Sequence, residues 1–269
     1  MDVIGRLSDL LPPRPVSPAN RGWGMDQYRQ TGRHAWGNHT FDSVERDCAT
    51  FQPTDAMRRL RERLEEDLPV FTTRTRPRRL NNQKVGDRVG NRVEYERYSA
   101  GASTEPRFWS RRERQERRHT GTVTMLVNIG LSGGEHHANL EWSGACALAM
   151  TDALENMGYR VHLYAVLDSQ GHPIGTYHAA FEVKGPDERL SEASMAVVSD
   201  GGIRRILWWS WLSARSERVE RGYGIPTDYT GPLAATADVI IPKSITSADQ
   251  AFEFVKAQVD ALRKRGEEV

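Results

Sequence analysis

A chain of 269 residues, 38% apolar and 27% charged, can fill one large or two small cores, and its mean hydropathy of −0.63 leaves room for exposed segments. Its formal net charge of +1 excludes a strongly basic protein, so any nucleic-acid contact would need a local patch. No apolar run approaches the ~20 residues of a membrane span, and Cys48 and Cys146 lack partners at metal-ligand spacing, which excludes zinc-finger and disulfide-framework classes.

Cys146 sits in Ala145–Cys146–Ala147–Leu148–Ala149, where a buried small residue is the ordinary reading. The stretch Met1 to Pro15 carries acidic residues and prolines instead of a signal-peptide core. A cytoplasmic protein, free of membrane, is therefore expected. Arginine outnumbers lysine heavily, which reflects a GC-rich coding genome before it reflects function.

Residues 1–53 are weakly patterned and are expected to form an extended, irregular arm. Pro12–Pro13–Arg14–Pro15 is extended, and Trp23, Tyr28, Trp36 and Phe41 follow no sustained period. Residues 54–120 are expected to hold one helix and a basic connecting region. The helix starts at Thr54 as N-cap, carries Met57, Leu60, Leu64 and Leu68 at helical spacing, and ends before Pro69. A short strand is expected within Val89 to Tyr95. The run from Arg111 to Arg118 sets Arg111, Arg112, Arg114, Arg117 and Arg118 against Glu113 and Glu116. Its bland reading is a solvated, self-pairing stretch, and its functional reading a phosphate-contacting patch.

Residues 121–269 are expected to form an α/β domain. Val123–Met125–Leu126–Val127 is a buried run, broken by Asn128–Ile129–Gly130–Leu131–Ser132–Gly133–Gly134, and a helix is expected from Ala138 to Met157. A second run, Val161 to Val166, follows the stop at Gly158. Two such runs joined by turn and helix make a right-handed crossover in a parallel sheet, with ligands at the carboxyl ends of the strands.

Asp168–Ser169–Gln170–Gly171 has hairpin-turn chemistry, and the alternation through Tyr177, Ala179, Phe181 and Val183 marks an antiparallel strand. Residues 188–215 read as two helical pieces broken at Gly201–Gly202. Gly222 to Ala237 reads as loop, Asp238 to Pro242 as a short strand, and Ser247 as the cap of an amphipathic final helix through Ala251, Phe252, Val255, Val259 and Leu262.

This order of elements resembles a compact von Willebrand factor A-type domain over roughly residues 120–265. The resemblance implies a three-layer fold with a mostly parallel sheet and one antiparallel edge strand. In that family, the first strand ends in Asp-x-Ser-x-Ser, whose oxygens hold a divalent cation. The pattern falls here on Asn128, Gly130 and Ser132, of which only Ser132 matches, so the resemblance implies a vestigial metal loop. Tyr98–Ser99–Ala100–Gly101, the arginine run and the Val127 to Val166 unit are also similar to uncharacterised proteins of phages and mobile elements of high-GC bacteria.

Three functions are compatible with these residues. The favoured one is a non-enzymatic protein-binding or scaffold domain without cofactor, in which Trp208, Trp209 and Trp211 cannot all face one side of a helix and one could meet a partner. The backbone amides of Gly133 and Gly134 could hold an anion beside Asn128, Gly130, Ser132 and Glu135. The second is a metal-dependent enzyme, with Mg²⁺ held by Ser132, Glu135 and His136; the neighbouring His137 diverges from His136. The third is a nucleic-acid-associated protein using the arginine run. A serine nucleophile in Gly130–Leu131–Ser132–Gly133–Gly134 lacks assignable acid and histidine partners.

Overall fold

The computed structural model describes residues 2–10, 39–40, 43–68, 92–93, 108–109, 121–130, 138–172, 175–215 and 225–267. In chain order these form β1 (Asp2–Arg6), α1 (Val44–Ala49), α2 (Asp55–Asp67), β2 (Arg92–Val93), β3 (Phe108–Trp109) and β4 (Thr122–Asn128). Then follow α3 (Ala138–Asn156), β5 (Arg160–His172), β6 (Gly175–Lys184), α4 (Glu192–Ser199), α5 (Gly201–Arg215), β7 (Ile225–Thr227), β8 (Val239–Ile241) and α6 (Ala248–Glu267).

The chain is a mixed α/β fold. Its main sheet runs β1-β6-β5-β4-β8, with β7 added to the free edge of β5, and β2 and β3 form a separate antiparallel pair. Pairs β1/β6, β4/β5 and β4/β8 are parallel, whereas β5/β6 and β5/β7 are antiparallel. The expected β4–α3–β5 crossover is present, with β4 and β5 in parallel register from Thr122↔Arg160 to Asn128↔Val166.

One face of the sheet carries Met125, Val127, Leu163, Ala165, Ala179 and Phe181 into the main core, which the described helices share. The other face carries Leu126, Val166 and Ala180, over which Tyr229, Leu233, Ala234 and Ala237 lie as a thin cover.

The helix α3 reaches this position because it is small. From Ser143 to Leu154 nearly every described side chain is buried. A helix apolar all round packs on several sides, and α3 touches β4, β5 and β8 as well as α2, α4, α5 and α6. Gly144 sets the closest approach: a Cβ there would stand 2.6 Å from Ser199 Cα and 2.7 Å from the Val198 carbonyl oxygen at the end of α4. Lys184, buried at the end of β6, donates to the carbonyls of Val161 (2.9 Å) and Gly185 (3.1 Å) and pairs with Glu155 of α3 at 2.8 Å.

Local signals place several elements as expected. Thr54 caps α2, its Oγ1 accepting from the Met57 amide at 3.3 Å, and Leu60, Leu64 and Leu68 are buried. Ser247 Oγ accepts from the Gln250 amide at 3.3 Å, and the apolar face of α6 is buried from Ala251 to Leu262.

Four expectations are corrected. Asp2–Arg6 is a strand beside β6, so part of the expected arm belongs to the sheet, and the antiparallel β6 is not its edge. Residues 168–171 continue β5 instead of turning, because β7 pairs with Asp168–Gln170 on one side and β6 on the other. The strand β7 itself lies within the stretch read as loop. The break between α4 and α5 falls at Asp200, whose Oδ1 accepts from the amides of Gly202 (2.8 Å) and Ile203 (2.9 Å), so the two glycines begin a helix instead of ending one.

Gly144→Ala is expected to cost about 3 kcal/mol, since the added methyl meets backbone that cannot yield without separating α3 from α4. Chemical denaturation of the variant checks this.

Candidate functional site

The carboxyl end of the parallel strands holds a buried polar network on the thinly covered face of the sheet. Asn128, the last residue of β4, is 1% exposed. Its Oδ1 accepts from the Gly130 amide at 2.9 Å, closing the chain into a local turn, and its Nδ2 donates to the Thr227 carbonyl of β7 at 3.2 Å. Both ends of the amide are therefore engaged within the chain.

One step further along β5, Asp168 is fully buried. Its Oδ2 accepts from both the amide (2.6 Å) and the hydroxyl (2.9 Å) of Thr230. Its Oδ1 stands 2.8 Å from Nδ1 of His178, the residue opposite it on β6. That contact has an ion-pair distance without the angular alignment of a hydrogen bond.

His178 also meets the Tyr229 ring edge-on, with centroids 6.4 Å apart. Tyr229 closes over Gly231, where a Cβ would stand 2.6 Å from the phenol Cζ and Oη atoms. These residues, with Pro232, Ala234 and Ala235, line an open hollow of about 710 Å³. On the same face, His162 Nε2 lies 2.6 Å from Glu182 Oε2, and its ring lies 4.4 Å from that of Tyr164.

A second cluster lies on the helical side. His39 bonds Asp47 of α1 through Nδ1 (2.8 Å) and Asp200, the cap of α5, through Nε2 (3.0 Å), while Ser43 donates to Asp47 at 2.7 Å. The hydrogen bond to Asp200 is the chief reason the imidazole is raised from 6.5 to about 9; burial opposes it and Asp47 assists. Burial would push the Asp200 carboxyl up, yet the bonds from His39 and from the Ile203 and Gly202 amides outweigh it and hold the group below its ordinary value. The neighbouring Cys48 thiol and the thiol of Cys146 are each pushed up to about 12, foremost by burial, so both are inert core groups.

Of the residues singled out from sequence, Asn128 and Gly130 belong to the first network. Ser132, Gly133, Gly134, Glu135 and His136 lie outside the described residues, as do Arg111, Arg112, Arg114, Arg117 and Arg118. Among the described residues, no group of three or more His, Cys, Asp or Glu side chains converges as a metal site requires. No helix among them is long and apolar enough to cross a membrane.

Trp208 and Trp211 pack into the core, and the side chain of Trp209, the third tryptophan of the expected partner contact, lies outside the described residues. The two core tryptophans are 5% and 1% exposed, stack on each other at 5.2 Å, and each meets the edge of Phe181, at 5.9 and 5.2 Å. Spacing alone left their direction open, whereas the Phe181 ring on β6 draws both inward. Asp168 and His178 escaped the sequence reading, since Asp-Ser-Gln-Gly imitates a turn. The signal that could have found them is their cross-strand pairing within one hairpin.

The geometry defines a mixed α/β domain with a hydrogen-bonded turn, Asn128–Gly130, at the end of its first crossover strand. The chain belongs to the family of the domain of unknown function DUF7192, whose model matches residues 19–265. No curated protein and no solved structure matches it.

His39 has a folded value above its unfolded one, so its contribution, on the order of 3 kcal/mol, is full below about pH 6.5 and is lost as pH rises through about 9. Melting temperature is therefore expected to fall between pH 7 and 10, and His39→Gln is expected to flatten that fall while lowering stability at neutral pH.

Proposed function

We propose that this protein is a non-enzymatic, protein-binding scaffold or adaptor domain of von Willebrand factor A type, whose ancestral metal loop has closed on itself. The observation that carries this reading is Asn128. At the position where that family supplies a metal-binding carboxylate, this chain has an amide, with its oxygen bound to Gly130 and its nitrogen to Thr227.

The strand order offers further support. From β4 the chain crosses to β5, turns back as β6, passes through α4 and α5, and returns as β8 on the far side of β4. The parallel crossover and the antiparallel β6 agree with what the resemblance implies, although β6 is not an edge strand.

The binding face we infer is the thinly covered side of the sheet. Ile4 and Ile240 are the large apolar side chains left exposed among the described residues, at 60% and 39%. Their registers, Ile4↔Ala180 and Leu126↔Ile240, put both on that side.

Affinity capture from the native host, with and without chelator, tests the reading. A protein retained by the wild type, indifferent to chelator and lost with Ile240→Asp is the expected result; a partner released by chelator, or none at all, overturns it. Asn128→Asp is expected to lose about 3 kcal/mol, because a buried carboxylate would face the Thr227 carbonyl. Added Mg²⁺ is expected to leave its melting temperature unchanged, and a stabilisation by Mg²⁺ would show a loop still competent for metal.

A further inference from the structure

The strand β1 ends the main sheet beside β6, and among the described residues no strand pairs with its outer edge. An open edge is a template for another strand, and proteins usually blunt it with charge, proline or shortness. The opposite end of the sheet is blunted in that way: β8 has three residues and runs directly into Pro242, which has no amide to donate. By contrast, β1 has five residues, Asp2–Val3–Ile4–Gly5–Arg6, without a proline. At its centre Ile4 stands beside the buried Ala180 and is still 60% exposed.

The order of charges on β1 selects its occupant. When two identical strands pair edge to edge about a two-fold axis they run antiparallel, and one residue faces its own copy. Centring on Ile4 pairs all five residues: Ile4 meets Ile4 of the second copy, Val3 meets Gly5, and Asp2 meets Arg6 at both ends. Opposite charges directly across two strands are stabilising, whereas like charges are destabilising. Centring on Val3 or on Gly5 shortens the overlap and sets Ile4 against Asp2 or Arg6. An in-register parallel pair would set Asp2 against Asp2 and Arg6 against Arg6. The charges that commonly protect an edge are placed here so that an antiparallel copy satisfies them.

We propose that β1 is a homodimer interface, at which two copies of this chain join β1 to β1, antiparallel and centred on Ile4, into one continuous sheet. Residues directly opposite each other in such a pair share a face. The thinly covered faces of both copies therefore lie on the same side of the joined sheet, with the Ile4 side chains meeting between them. Ile240 lies on β8 at the far end of the sheet, so the dimer and the protein-binding reading can fail separately.

Sedimentation velocity of the full chain, from about 10 µM to about 1 mM, reads the association directly. A strand pair of five residues is a small interface, so a reversible dimer half-formed at about 100 µM is expected. Asp2→Arg and Arg6→Asp are each expected to weaken it at least about tenfold. An equimolar mixture of the two variants should restore it, because each like-charged strand then meets its complement. Ile4→Lys sets two like charges at the centre and should weaken the dimer at least about tenfold as well. The melting temperature of the dilute Ile4→Lys protein should be unchanged, since that side chain already faces solvent. That variant decides the matter if Arg6→Asp, opposite Glu182, loosens β1. A chain that stays monomeric throughout, or a dimer equally strong in Ile4→Lys, overturns the proposal. So does a mixture that stays monomeric while both charge variants melt as the wild type does.

Discussion

A strand that outruns its parallel neighbour leaves backbone donors and acceptors that must find another partner, and this constraint shapes the polar end of the molecule. The pairing of β4 with β5 stops at Asn128↔Val166, while β5 continues to His172. The strand β7 takes the vacated edge at Asp168–Gln170. In doing so it delivers the Thr227 carbonyl to Asn128, and the chain that follows delivers Thr230 to Asp168 and Tyr229 to the face of the sheet. The engaged Asn128 amide nitrogen and the burial of Asp168 both follow from that one substitution of partner.

The opposite face solves a packing problem. A helix buried on every side must be narrow, and the alanine-rich α3, with Gly144 against α4, lets one helix contact both the sheet and the surrounding helices. Two ionic clasps fix its surroundings: Lys184 joins the β5–β6 hairpin to α3 through Glu155, and His39 joins α1 to the cap of α5. Trp208 and Trp211, stacked against Phe181, fasten α5 to β6. The helical side is thus a fixed support, and the candidate chemistry lies on the thinly covered side.

Helix α2 and helix α6 were legible because each carries a cap residue and an apolar stripe within one short stretch. The β4–α3–β5 unit was legible because two continuous apolar runs flank a helix of the length a crossover needs. The edge strand β1 was not, since Asp2–Arg6 shows little alternation and pairs with residues near position 180. Asp168 was misread for the same kind of reason: its local composition favours a turn, and the strand that keeps it extended comes from Ile225–Thr227. Half of the candidate site was visible, namely the turn at Asn128 and Gly130; Thr227, Thr230 and His178 were not.

By itself the sequence determined the fold class, the crossover, the capped helices and an amide instead of a carboxylate at position 128, because each depends on neighbours within a few turns of chain. Only the tertiary structure decided that the Asn128 amide is spent on Gly130 and Thr227, that Asp168 lies under His178, and that two tryptophans belong to the core. Those outcomes rest on hydrogen bonds and ring contacts between separate elements. The energy of such contacts depends on distance in space, which local patterning does not encode.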